Sequence, residues 1–201
     1  MNTKHPYDPF IPDGASRLII GTIPPARFCM EGTKSLFETD VDFYYGSKDN
    51  AFWGLVAEVF GVQLEKSNTQ AAIEQRKSIL TAHGIGITDI ISECTRENQS
   101  ASDDKLKVIT RKDLGKLLFD HPSISTLIYT SEFVKKEINQ HFGGYHLIDK
   151  ENKKKQSINI NGKMYQVRIL FSPSPNGLRN LGVEGSKKRL NQWRDFLMVA
   201  E

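Results

Sequence analysis

Four short apolar runs constrain this chain more than any other feature: Arg17 to Thr22, Ile85 to Ile91, Ser125 to Thr130 and Met164 to Phe171. Each has strand length, and Gly14, Pro24-Pro25, Gly84 and Gly162 punctuate their ends. Helical patterns fall between and after them. Ala51 to Phe60 is closed by Gly61, and Ala71 to Ala82 carries Ala72, Ile73, Ile79 and Leu80 on one face. Arg111 to Phe119 ends before His121-Pro122, Ser131 to Gln140 opens on a capping serine with Glu132 in its first turn, and Gly185 to Met198 finishes the chain. Strands that alternate with helices need crossover connections, which make neighbouring strands parallel. The expected fold is α/β, with a central, mainly parallel sheet between two helical layers. Tyr145 to Ile148 and Ser157 to Asn161 read as further strands, with a hairpin turn at Asn161-Gly162. Arg27 to Asp42 reads as a loop or short helical excursion, and Arg96 to Lys107 as an exposed loop.

Composition narrows the class. A chain of 201 residues can bury about 70% of its unfolded surface, so one domain over 1–201 needs no staple. The net charge of +3 comes from 27 cations against 24 acids, so any polyanion site must arise from local clustering. Two cysteines, Cys29 and Cys94, have no partner at metal-ligand spacing, which fits a reducing cytoplasm and predicts neither a metal nor a cofactor. No leader pattern and no run of about 18 apolar residues is seen, so a soluble, cytoplasmic protein off the membrane, monomeric, is expected.

In parallel sheets ligands collect beyond the carboxyl ends of the strands, and three loops there stand out. The first is Gly21-Thr22-Ile23-Pro24-Pro25. The second is Phe43-Tyr44-Tyr45-Gly46-Ser47-Lys48-Asp49-Asn50-Ala51-Phe52-Trp53, which places flat rings, a carboxylate and an amide just before a helix. The third is Ser172-Pro173-Ser174-Pro175-Asn176-Gly177-Leu178-Arg179-Asn180, with small hydroxyls, an apolar tip and a cation suited to phosphates beside an inserted wedge. Aromatics that open a helix usually pack inward, so Tyr44, Phe52 and Trp53 are read as core. Residue type alone leaves Asn50 either a helix cap or a polar contact, and leaves Asp89 either a strand-end cap or a site residue. Lys153-Lys154-Lys155 reads as a solvated loop, while Lys187-Lys188-Arg189, just after the third loop, suits phosphates better. His5, His83, His121, His141 and His146 do not cluster, and none falls in the three loops. A pH–rate profile without a limb between about pH 6 and 8 follows from that.

Taken in order, these motifs resemble the uracil-DNA glycosylase superfamily. The likeness is closest to its mismatch-specific uracil and hypoxanthine-DNA glycosylase branches. Those pair a G-x-x-P loop, here Gly21 to Pro24, with a Y/F-x-x-x-x-N-x-F-W segment, here Tyr45 to Trp53, and a late S/N-P-S-x-G-L-type loop, here Ser172 to Arg179. Gly84 to Ile91 is similar to the family's G-I-x-x-x-D-V strand, and the element order fits from about Arg17 to Leu197. The mismatch-specific branch has a catalytic Asn where this chain has Ile23, and the hypoxanthine branch shifts that role to Asn50.

The resemblance implies a monofunctional DNA glycosylase in base excision repair. Such an enzyme flips uracil or hypoxanthine out of damaged or mismatched DNA and hydrolyses its N-glycosidic bond. Asn50 becomes the catalytic residue, and Gly21, Thr22, Ile23, Pro24, Tyr45 and Asp89 the base-binding set. Ser172, Ser174, Asn176, Gly177, Leu178, Arg179 and Lys187 become DNA contacts, with Leu178 in the vacated stack. Two other classes stay open: a binding module of the same fold without catalysis, which Ile23 favours, and a hydrolase using Ser172 or Ser174. GxSxG, Walker and GxGxxG patterns are absent from the sequence.

Overall fold

The computed structural model describes residues 2–29, 34–97, 105–142, 147–148, 156–179 and 181–198. Its centre is a six-stranded sheet. The strands are β2 (Arg17–Gly21), β3 (Ile85–Asp89), β6 (Thr126–Tyr129), β7 (Leu147–Ile148), β8 (Gln156–Ile160) and β9 (Lys163–Ile169), in the order β3-β2-β6-β9-β8-β7. The first four are mutually parallel, and β8 and β7 extend the edge antiparallel. The expected hairpin turn is present: Asn161 and Gly162 both take positive φ, 51° and 87°, the primed-turn geometry that matches strand twist.

Side chains alternate across β2 and sort the helices into two layers. Ile19 points to the face covered by α1 (Phe52–Phe60), α2 (Gln70–Ala82) and α5 (Gly185–Leu197), where Val56, Leu80 and Trp193 pack. Leu18 and Ile20 point to the opposite face, covered by α3 (Leu114–Asp120) and α4 (Glu132–Phe142) through Leu118, Val134 and Ile138. The three-layer α/β/α arrangement is therefore as expected. Ser131 accepts a hydrogen bond from the Val134 N–H at 3.3 Å, the cap expected for α4.

Two readings need correction. The run Ile85 to Ile91 is not one strand. β3 ends at Asp89, and β4 (Ile91–Arg96) leaves for a separate antiparallel sheet with β1 (Asn2–Lys4) and β5 (Leu106–Arg111), in the order β1-β4-β5. Much of the stretch read as the Arg96–Lys107 loop lies outside the described residues, but its two ends are strand, and Arg111 ends β5 rather than starting a helix. Alternation there is masked by a register shift between Ile91 and Cys94, which breaks the period-two pattern. Tyr145 and His146 lie outside the described residues.

The parallel strands run β2, β3, β6, β9 in sequence but β3-β2-β6-β9 in space, so the chain reverses direction across the sheet at β2. Loops leaving β2 and β6 at their carboxyl ends diverge and open a crevice there. α5 holds the third loop of that crevice: the Trp193 indole N–H donates to Phe171 O at 3.0 Å, and the Gln192 amide donates to Ile169 O at 3.2 Å. Trp193 is fully buried against Phe52, ring centroids 5.3 Å apart at 82°. Trp193→Ala should cost about 3–5 kcal/mol. Urea unfolding monitored by circular dichroism measures the loss.

Candidate active site

The crevice holds a cavity of about 190 Å³. That is below the about 300–1,000 Å³ of pockets for drug-sized ligands, and it suits one planar heterocycle. Thr22, Ile23, Pro24, Tyr45, Asn50, Asp89, Ser172 and Ser174 line it, so eight of the residues singled out in sequence converge. Gly21 lies just behind. A Cβ there would collide with the Tyr45 hydroxyl and Asp89 Oδ1, so only glycine lets these two groups approach the end of β2.

The aromatic segment is built on a buried ion pair. Asp40 is 0% exposed, and its two oxygens take four hydrogen bonds: Arg27 Nε at 2.8 Å, Arg27 Nη2 at 3.0 Å, the Lys48 N–H at 2.8 Å and the Phe37 N–H at 3.0 Å. Arg27, on a short 3-10 turn over Ala26–Phe28, also donates to Ser47 Oγ at 2.7 Å. Burial opposes charge on Asp40, but the Arg27 and backbone N–H donors outweigh it and hold the carboxyl below its ordinary range. Arg27, Ser47 and Asp49 all border the cavity; within the loop or short helical excursion expected from Arg27 to Asp42, nothing in the sequence singles out Arg27 or Asp40.

Pinned this way, Tyr45 takes a positive φ of 55°, rare outside glycine, which turns its ring into the crevice. The ring stacks on Phe52, centroids 4.2 Å apart and 9° from parallel, and its hydroxyl donates to Thr130 Oγ1 at 2.9 Å. Tyr44, Phe52 and Trp53 are buried, as read from the sequence. Thr130 and Ser131, at the carboxyl end of β6, also line the cavity and were missed; the strand-end rule that found Gly21 applies equally to them.

Asn50 is not the cap of α1 but sits one residue before it, with its side chain at the cavity. Its Oδ1 accepts the Phe52 N–H at 2.9 Å, bridging an unsatisfied donor of the first turn of α1, although the capping position itself is Ala51. That bond fixes the amide orientation, because only the oxygen can accept. Nδ2 then carries two donors that no described residue accepts, and Asn50 lines the cavity.

The first loop is clamped from outside. Pro24 O accepts from Cys29 Sγ at 3.5 Å and from Arg96 Nη2 at 2.5 Å. Burial pushes the Cys29 thiol up to about 12, so it stays a neutral donor. Behind the cavity, Asp89 Oδ2 is bonded to His5 Nε2 at 2.8 Å, with the side chains 6% and 1% exposed. No histidine falls in the three loops, and no described histidine lines the cavity, but His5 reaches its wall from behind through Asp89. β1 pairs antiparallel with β4, bringing His5 against a residue 84 positions away. His83 and His121 precede β3 and β6 and so lie at the opposite, amino edge of the sheet.

Pro173 and Pro175 also line the cavity, and beyond Pro175 the third loop stands outside it. Ser172 Oγ donates to Ser174 Oγ at 3.0 Å, and no described histidine contacts either hydroxyl. Asn176, Gly177 and Leu178 form a 3-10 turn beyond them, with Leu178 half-buried and Arg179 exposed. Lys187 and Lys188 are exposed at the start of α5. Arg189, grouped with them in sequence, is instead buried and donates to Ser172 O at 3.2 Å, which makes it a support of the loop. Lys153 to Lys155 and Asn180 lie outside the described residues. Among the described residues no three His, Cys, Asp or Glu side chains converge to hold a metal ion, and no described helix is long and apolar enough to cross a membrane.

The Asp40 pair supplies a direct test of the scaffold. A carboxyl held below its unfolded value contributes stability above about pH 4 and loses it as the pH falls through the folded value. Asp40→Asn should cost about 3 kcal/mol at pH 7. Thermal melts from pH 7 down to pH 3 should show the variant losing less stability on acidification than the wild type.

This fold has a solved counterpart. A provisionally named uracil DNA glycosylase from Methanosarcina acetivorans, whose structure was solved in solution by NMR, is similar with a TM-score of 0.62 over 98% of this chain and 97% of that one. Sequence identity is 18%, so what the two share is the fold. No protein-family model matches the chain, and no curated protein does.

Proposed function

We propose that the protein is a monofunctional DNA glycosylase of the uracil-DNA glycosylase superfamily that excises a deaminated base, uracil or hypoxanthine, in base excision repair. The observation that carries this reading is the convergence of Tyr45, Asn50 and Asp89 in one base-sized cavity at the switch point of the sheet. The likeness to the Methanosarcina acetivorans protein, which bears that activity in its name, supports it.

The residues suit the chemistry. In the reaction the C1′–N bond breaks with its electron pair going to the base, and water adds its oxygen to C1′ while its proton leaves for the base or solvent. Charge develops on sugar and base, so oriented donors help more than a covalent nucleophile. The Tyr45 ring stacks on the flipped base, and the Asn50 Nδ2 donors hold the water or a base carbonyl. The Thr22 and Ile23 backbone and Pro24 border the base beside Gly21. Flipping costs a few kcal/mol, which phosphate contacts and a wedge offset. Ser172, Ser174, Asn176, Gly177, Arg179 and Lys187 serve the phosphates and Leu178 the gap. The DNA glycosylase works as a monomer on DNA.

One observation favours a second reading, a binding module without catalysis. Ile23, where the mismatch-specific branch has its catalytic Asn, packs against the buried cluster of Leu18 and Ile20 and so offers no polar group to a water. Oligonucleotides carrying uracil, hypoxanthine or a mismatched thymine separate the two readings, since only a glycosylase leaves an alkali-labile site.

Asn50→Asp keeps an acceptor for the Phe52 N–H but replaces the two pocket donors with charge. Single-turnover cleavage should fall by about 100-fold or more with the melting temperature nearly unchanged; wild-type rates on every substrate would remove Asn50 from the mechanism.

Two further substitutions probe the DNA grip. Arg179→Ala should weaken binding to every sequence and lower the salt slope of log K by about one. Leu178→Ala should slow cleavage of paired duplex more than of single strands, because only a duplex closes over the vacated site. Val183, at 108% the most exposed large apolar side chain among the described residues, follows five positions later and is the matched comparison. A duplex-specific loss with Val183→Ala and none with Leu178→Ala would transfer the wedge to Val183.

A further inference from the structure

Among the described residues, Asp89 is the one carboxylate that is both buried and open to the cavity. It is 4% exposed, and Oδ2 is occupied by His5. Oδ1 takes no hydrogen bond from any described residue, although it sits beside Gly21 and the Tyr45 hydroxyl at the cavity wall. Oδ1 opens onto the cavity, so a ligand that displaces solvent there must itself supply a donor to it. In this position, a ligand N–H is the natural donor.

His5 holds Oδ2 of Asp89 from behind the cavity. Its Nδ1 lies 2.9 Å from Tyr7 O and 3.1 Å from Tyr7 N, so that nitrogen can either donate to the carbonyl or accept the amide. An ionised Asp89 only accepts, so Nε2 carries a hydrogen in both cases and donates to Oδ2. The ring is wedged between Tyr7 and Tyr44, centroids 5.7 and 5.5 Å away, and cannot swing aside. The His5 N–H is in turn fixed on Ser92 O at 2.8 Å by the pairing of β1 with β4. The charge on Asp89 does not stand alone. Burial lowers the pKa of the Lys112 ammonium, while Asp89 and Asp8 pull it back, and Lys112 Nζ donates to Tyr7 O at 2.7 Å.

We propose that His5 is a positioning residue that locks Asp89 so that its Oδ1 presents an acceptor-only edge to the base, selecting rings with a lactam N–H. Uracil has N3–H and hypoxanthine N1–H, whereas cytosine N3 and adenine N1 are bare acceptors that a carboxylate repels. Deamination creates that N–H, so one oxygen reads the damage in a pyrimidine and in a purine alike. The inference rests on the glycosylase reading above and adds the group that distinguishes a deaminated base from its parent.

The test compares single-turnover excision of uracil and hypoxanthine with that of N3-methyluracil and N1-methylhypoxanthine in otherwise identical oligonucleotides. Methylation should slow the wild type by at least about 100-fold, because it removes the donor that Oδ1 needs. Asp89→Ala should lower the rate on the unmethylated bases and bring the methylation penalty below about tenfold. His5→Phe should shrink the penalty in the same direction, and His5→Gln, which keeps a donor, should restore part of it. A purely structural role for His5 would slow all four substrates by one factor and leave the penalty unchanged, and that result would overturn the positioning role. If His5→Phe does not fold, Asp89→Ala and His5→Gln decide the matter. A wild type that excises methylated and unmethylated bases equally would overturn the inference and leave the glycosylase reading standing. A wild type that excises none of the four would overturn both.

Discussion

The pocket depends first on a charge that has no access to water. Asp40 is completely enclosed, and a lone carboxylate in that position would cost several kcal/mol. Arg27 and two backbone N–H groups compensate it, and each donor comes from a different part of the chain. The geometry that satisfies all of them fixes where Ser47, Asp49 and Asn50 stand, and from there the entry into α1. The αL conformation of Tyr45 is a strained element that persists because this surrounding scaffold over-determines it.

Two other clamps act on the remaining walls in the same way. Arg96 and Cys29 hold the carbonyl of Pro24, and His5 holds Asp89. The side chains facing the cavity are mostly small, polar or flat, with Arg27, Asp49 and Asp89 the charged ones among the described residues, while Asp40, Arg96, Cys29 and His5 lie one layer back. This division suits a site whose task is orientation and electrostatics, since preorganised dipoles act without rearranging during the reaction.

The fold was largely legible because its signals are local. Ile19 against Leu18 and Ile20 sorts the two helical layers by simple alternation, and the glycines and prolines mark the strand ends. Asn50 and Tyr45 were legible as a motif beside a predicted helix. What was not legible depends on long-range pairing. Nothing near His5 in sequence announces Asp89, because their contact exists only through the register of β1 on β4. Arg27 and Asp40 escaped because a buried ion pair leaves no periodicity. The small antiparallel sheet escaped because a bulge in β4 and polar residues on exposed β5 erase the alternation that marks a strand. Arg189 was misjudged with its neighbours because charge runs do not reveal which member of a helix faces inward.

The pocket draws on segments far apart in the chain: His5 fixes its rear wall, and Trp193, on α5, fixes the third loop. His5 and Asp89 emerge from the ribosome well before Trp193, so the third loop stays without that support until α5 has been made. The sheet can assemble on the nascent chain through β2, β3 and β6, but the cavity closes last. A truncated translation product that stops before α5 would keep a recognisable sheet and most of the aromatic segment while lacking the support for its third wall. The third wall of the pocket is thus completed only after α5 has been made, later than the sheet that carries the other two walls.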